Sequence, residues 1–470
     1  MRSVSLAIMA LSLGMIFSNN IAAANDCTWT VTGTVKVQSQ ESELIAKYGA
    51  QIPLKGIKVK ISGAAIGWFD EWGTVTTDAN GRFSLTVDKG CDDRKLKIEV
   101  KFQSDNVEIR HEHATSNLLT DVKWYTIIED SDRRRQAGRI DIVPTVFDAG
   151  KNNDLGLAEA RSHADLWIMT NALYDHLAGY GANFKFKNQI AIKYPHNGVV
   201  GDASEASYTN PITQVTYIFK SADGREDHLN VRTVFHELMH MWAFQNVGGE
   251  LDLATNLIFT GSTHCANEQE HIAYHEAFAE FAMERLYEEI FGKTHTLPYN
   301  RDALKEGLSC EGSTDRMLTI RDMEMHEYGW MSLFRMLTTK ELYKYTYAGE
   351  ASSTNPSPYD SPSASVFISL APASTYINCN NATDYTLKNI LDVFLPHSAK
   401  GYPNQITKSE MNFNSFMTRA AKILGFEDQK PALMNLLDPS KTSEPKAELC
   451  GEMVKVTAPI PPGGLKPIGH

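Results

Sequence analysis

The stretch Val234-Phe235-His236-Glu237-Leu238-Met239-His240 decides how the rest of the chain is read. Val231, Val234, Phe235, Leu238 and Trp242 recur around it at helical spacing and predict a largely buried helix. On such a helix His236 and His240 lie one turn apart and project from the same face, close enough to grip one ion. Glu237 is rotated by about 100° from His236, so it is free to face a water molecule instead of the ion. In this H-E-x-x-H order two imidazoles bind zinc and the glutamate serves as general base. Two core histidines at chance spacing give the same five residues, so a third ligand is the deciding requirement.

Glu270 to Phe291 reads as a second helix, stopped by Gly292, and it carries His275-Glu276-Ala277-Phe278-Ala279-Glu280-Phe281. A glutamate followed by small and aromatic residues and a second acid resembles the third-ligand helix of the gluzincins, the thermolysin-like and aminopeptidase-like zinc peptidases. The resemblance implies Glu276 as ligand and Glu280 as the acid that fixes a ligand histidine, His236. Two imidazoles, a carboxylate and an open position suit Zn²⁺, one ion per chain, and an acid on the far N–H of an imidazole sets its tautomer. Glu276 follows His240 by 36 positions, a longer gap than most gluzincins have. His271 and His275, four apart, are the alternative ligand pair.

Further on, Met323-Glu324-Met325-His326-Glu327-Tyr328-Gly329-Trp330 resembles the thermolysin-like and fungalysin-like helix whose histidine stabilises the oxyanion of the tetrahedral intermediate. The resemblance implies His326 in that role, Tyr328 as its substitute and Asp322 as an orienting carboxylate, although Asp322 sits out of the expected register. A helix start with a solvated histidine is the competing reading. Upstream, Ala206-Ser207-Tyr208-Thr209-Asn210 resembles the edge strand on which such peptidases align substrate backbone, with Ala206, Ser207 and Tyr208 as candidate substrate-binding residues. Recognition there is strand addition, in which main-chain hydrogen bonds give affinity. An ordinary loop is the alternative.

Four hundred and seventy residues exceed one hydrophobic core, which stops growing at roughly 250–300 residues. Residues 27–145 read as β structure, with alternation at Val35 and Val37, at Ile57, Val59 and Ile61, at Phe83, Leu85 and Val87, and at Leu96, Ile98, Val100 and Phe102. Asn80-Gly81 ahead of Phe83 is hairpin turn chemistry. Leu54-Lys55-Gly56-Ile57 and Thr77-Asp78-Ala79-Asn80-Gly81-Arg82-Phe83 resemble the transthyretin-like, carboxypeptidase-regulatory-like β-sandwich, an accessory module in its known settings. From about residue 150 the pattern turns helical, with Leu157 to Ala178 ending at Gly179. Gln189 to Tyr194 and Val215 to Phe219 then read as strands, and helices run from Leu229 to about 435. The expected organisation is multidomain: signal peptide 1–24, all-β sandwich 25–147, α+β zincin-like metallopeptidase domain 148–440 with a mainly helical C-terminal part, and tail 441–470.

Arg2, the apolar run Val4 to Phe17 and the small residues Ala22-Ala23-Ala24 have the layout of a secretory signal, implying an extracellular or periplasmic product. Six cysteines, Cys27, Cys91, Cys265, Cys310, Cys379 and Cys450, read as three disulfides in that setting, and fifteen pairings are open. A net charge of −12 supplies no general attraction to nucleic acid or anionic membrane. The apolar run Val4 to Phe17 is too short to span a bilayer, and no later stretch is long and apolar enough to cross one. Asp223 and Asp227 are candidate Ca²⁺ ligands, without EF-hand spacing. His111-Glu112-His113 and Arg133-Arg134-Arg135 read as solvated segments. The function these readings imply is metal-assisted hydrolysis of protein or peptide, endopeptidase before aminopeptidase. A binding protein with an idle zincin scaffold and a zinc hydrolase of a non-peptide amide are the alternatives.

Overall fold

The first strand, β1 (Asp26–Gln38), alternates buried Trp29, Val31, Val35 and Val37 with the more accessible Thr28, Thr30, Thr32 and Thr34. One face is core and the other wet, as a period of two requires. The computed structural model describes residues 26–64, 68–90, 95–111, 122–130, 139–141, 145–147, 155–196, 207–220, 230–246, 270–292 and 385–431, with short pieces at 330, 333–334, 337–338, 343–344, 369–370, 446–449 and 452–455. Residues 1–24, expected to be a signal segment, lie outside the described residues, as do Asp223, Asp227, Glu112, His113 and the arginine run. So do all cysteines except Cys27, whose backbone lies in β1, and with them the expected disulfides.

After β1 come α1 (Ser42–Tyr48), β2 (Gln51–Pro53), β3 (Lys58–Ala64), β4 (Asp70–Thr76), β5 (Arg82–Gly90), β6 (Lys95–Lys101), β7 (Val107–Arg110), β8 (Tyr125–Asp130), β9 (Arg139–Asp141) and β10 (Thr145–Phe147). β1 is the hub of a five-stranded sheet, pairing antiparallel with β2 and β5 and parallel with β9 and β10. A second sheet runs β4-β3-β6-β8, all antiparallel. Trp29 of the first sheet stacks on Trp72 of the second, ring centroids 6.3 Å apart. The turn into β5 needs its glycine: Gly81 has φ +72, and a Cβ there would sit 2.5 Å from the Val35 carbonyl oxygen. Asp78 completes the turn by accepting hydrogen bonds from the backbone N–H groups of Asn80 and Arg82, both at 2.8 Å.

Beyond residue 150 follow α2 (Leu155–Tyr180), β11 (Ile190–His196), β12 (Tyr208–Asn210), β13 (Val215–Phe219), α3 (Val231–Asn246), α4 (Glu270–Phe291), α5 (Leu387–Phe394) and α6 (Phe413–Leu424). The chain is thus a mixed fold of sheets and helices. α2 runs past Gly179 to Tyr180, whose hydroxyl donates to Glu289 and whose ring meets Phe184 edge-on. The chain turns instead at Gly181, at φ +136. A third sheet has the order β12-β13-β11-β7. Its edge strand β7 comes from within the first 147 residues and pairs in parallel with β11, Val107 opposite Ile190 and Arg110 opposite Lys193. The N-terminal segment therefore supplies one strand of the sheet above the helices. α2 adds to this joint: Trp167, 1% exposed, donates through Nε1 to the Lys55 carbonyl and packs near Phe102. Within the expected tail, Lys446–Leu449 and Glu452–Lys455 form a small antiparallel hairpin. Among the described residues no helix is long and apolar enough to cross a membrane.

Candidate metal centre

Thirteen of the sixteen residues of α3 are buried. Trp242 explains much of that position: it is 0% exposed, stacks on Phe278 of α4 at 5.8 Å, and donates to the Phe184 carbonyl at 2.8 Å. Phe278 in turn meets Phe394 of α5 at 4.6 Å. Fully burying one such ring contributes roughly 1.5–3 kcal/mol. This aromatic seam clamps α3 to α4 and sets which turns of the two helices face each other.

At the facing turns stand His236 and His240 from α3, Glu276 and Glu280 from α4. The two Nε2 atoms are 3.0 Å apart, and Oε2 of Glu276 lies 3.2 Å from that of His240 and 3.4 Å from that of His236. These three atoms are grouped closely enough to hold one metal ion. Oε2 of Glu280 sits 3.2 Å from Nδ1 of His236 and accepts its N–H, which in the neutral imidazole leaves Nε2 as a lone pair aimed at the group. Two imidazole lone pairs and a carboxylate repel one another at this range unless a cation stands between them. Tetrahedral ligands at zinc–nitrogen distances of 2.0–2.1 Å are separated by about 3.3 Å, close to the spacing found. The residues fit a metal ion.

Electrostatics agree with that fit. Burial disfavours a charged His236, but hydrogen bonds to Glu276 and Glu280 overcome it and raise its pKa well above the usual value. Burial likewise opposes ionisation of Glu276, yet His240 and His236 hold its carboxyl well below the usual range. The site favours positive charge, which a bound metal ion would supply. Burial pushes the carboxyl of Glu237 up, against the pull of His236 and His240. Glu237 is 7% exposed, and its Oε2 has no hydrogen-bond partner among the described residues.

The four residues expected to hold or orient the metal therefore come together. His275, the alternative ligand, is fully buried with its ring 5.2 Å from Phe244 and outside the group; the side chain of His271 lies outside the described residues. His326, Tyr328, Asp322 and Ala206 lie outside them too. Ser207 Oγ accepts the Phe219 N–H at 2.9 Å and so serves the sheet. Tyr208 stacks on Tyr217 at 4.7 Å on the face of β12 opposite to Thr209. Thr209, which the motifs did not single out, is the residue turned toward α3: its hydroxyl donates to the Glu237 carbonyl at 2.7 Å. Strict alternation from Tyr208 was the available signal. His111 meets Glu159 of α2, Nε2 to Oε1 at 2.6 Å.

No family model and no curated protein matches the chain. Among solved structures, a 9R-lipoxygenase from Cyanothece PCC8801 is 15% identical over 32% of this chain and 24% of its own length, with a TM-score of 0.17. At that level the likeness carries no structural or functional weight.

Proposed function

We propose that the protein is an exported zinc metallopeptidase that hydrolyses peptide bonds with Glu237 as general base. The observation that carries this reading is the convergence of His236, His240 and Glu276, with Glu237 buried beside them on the same helix turn. When bound, zinc would acidify a water molecule and polarise the scissile carbonyl. His236, His240 and Glu276 would hold it, and Glu280 would keep His236 in the right tautomer. Glu237 takes the water's proton and passes it to the leaving amine, the acid–base exchange a positioned carboxylate performs. β12 presents its edge to an extended substrate, and His326, or Tyr328 in its place, donates to the oxyanion, worth roughly 3–4 kcal/mol for one such group.

On this reading the two N-terminal sheets are a transthyretin-like β-sandwich, a description supported by the Trp29–Trp72 stack between them. Residues 1–24 direct export and the six cysteines pair. The test is Glu237→Gln in the full chain. The variant is expected to bind one zinc ion like the wild type and to lose cleavage of denatured casein. Unchanged turnover by the variant overturns the assignment.

A further inference from the structure

β12 is three residues long and sits at the margin of its sheet, hydrogen-bonded to β13 alone in the strand order. An edge strand this short has few ladder bonds to hold it in place. Asn210 ends it by accepting the N–H groups of Ile212 and Thr213, each at 3.0 Å. Thr209 faces the opposite way to Tyr208 and meets two partners at once. Its Oγ1 lies 2.9 Å from Oγ1 of its cross-strand neighbour Thr216, which is fully buried, and 2.7 Å from the backbone oxygen of Glu237.

A hydroxyl has one hydrogen. The Glu237 carbonyl only accepts, so Thr209 donates to it, and Thr216 must then donate to Thr209. The result is a directed chain, Thr216 to Thr209 to Glu237, linking sheet to helix. The helical carbonyl has a second lone pair, so α3 takes this bond without giving up its own.

We propose that Thr209 is a positioning residue that locks β12 onto α3 at Glu237, holding the substrate-aligning edge and the general base at one fixed separation. The role in turnover rests on the peptidase reading; the lock itself does not. A drift of the edge against the base by a fraction of an ångström misaligns the scissile bond, and misplacements of that kind reduce turnover more than binding.

The test compares wild type, Thr209→Val and Thr209→Ser in the zinc-loaded full chain, by amide exchange across residues 207–219 and by kcat and KM on a quenched fluorescent peptide. Removing the hydroxyl breaks both part-buried hydrogen bonds, which predicts at least about tenfold faster exchange in β12 and about tenfold lower kcat for Thr209→Val, at unchanged zinc content. Thr209→Ser, which keeps the hydroxyl, is expected to recover most of both. Glu237→Gln should abolish cleavage and leave the exchange close to that of the wild type, because it keeps the backbone oxygen that Thr209 bonds and a side-chain oxygen beside the same hydroxyl. If Thr209→Val does not fold, Thr209→Ala removes the hydroxyl without bulk, and the same two readouts apply. Exchange in the hydroxyl-less variant equal to that of the wild type overturns the lock. If the wild type shows no zinc-dependent cleavage, the peptidase reading fails while the exchange comparison still decides the lock.

Discussion

Nδ1 of His236 lies 3.2 Å from Oε2 of Glu280, one helical turn beyond Glu276 on α4. Two turns of one helix therefore meet a single histidine of another, one carboxylate beside each ring nitrogen. Removing Glu280 frees the imidazole to rotate and to change tautomer. Glu280→Ala is expected to weaken zinc binding by roughly 10–100-fold, with the other three residues intact. Competition titration against a chromophoric chelator measures it. Because a ligand held by the folded state alone stabilises it, zinc at a hundredfold excess over Kd should also raise the unfolding free energy by about 2.7 kcal/mol, and EDTA should remove that gain.

Trp167 binds the N-terminal sheets to the helical part. Its indole donates to the Lys55 carbonyl at 2.8 Å, and its ring lies against Phe102 and near Gly56. Trp167→Ala leaves a cavity and an unpaired carbonyl at the joint and should cost roughly 3–5 kcal/mol. Denaturant unfolding monitored by far-ultraviolet dichroism is the check. Because β7 pairs with β11 across the same joint, the loss is expected in one shared transition, not in a separate N-terminal one.

Two buried carboxylates give the fold a pH dependence of unusual sign. Glu41 is 3% exposed and caps α1 by accepting the Leu44 N–H at 2.6 Å; burial pushes its pKa to about 7. Asp165 of α2 accepts the Gln40 N–H at 3.2 Å, and burial pushes its pKa to about 6. A carboxyl whose pKa is raised on folding contributes stability that is complete below its unfolded pKa and is lost as pH rises through the folded value. For Glu41 the window runs from 4.5 to about 7 and the effect is on the order of 3 kcal/mol. Melting temperature should therefore fall from pH 5 to pH 8, and Glu41→Gln, which keeps a capping oxygen, should flatten the profile. A slope unaltered by the substitution would refute this account.

Much of the candidate metal centre was legible in the order of residues. His236 and His240 share a face because of helical geometry alone, and so do Glu276 and Glu280. The chemistry of a histidine pair and a carboxylate narrows the ion they suit. β13 follows from a run of β-branched and aromatic residues, Val215 to Phe219, and α4 from its period and Gly292. The end of α2 did not follow, because Tyr180 is retained in the helix by Glu289, more than a hundred positions away. The same holds for Glu41 and Asp165, ordinary surface acids by type, which become titrating core groups only when α1 and α2 close over them.

Local spacing, then, was enough to say which side chains could act together within one helix, since a helix repeats the same geometry wherever it stands. Which helices face each other was decided by packing: Trp242 against Phe278 sets the turn of α4 that meets α3, and with it the 3.2 Å between His240 and Glu276. The tertiary structure alone showed that Val107–Arg110 leaves its neighbours to complete the sheet above those helices, and that Thr209 rather than Tyr208 reaches Glu237. Partners distant in the chain meet through shape and burial, and those are properties of the folded core that no local spacing contains.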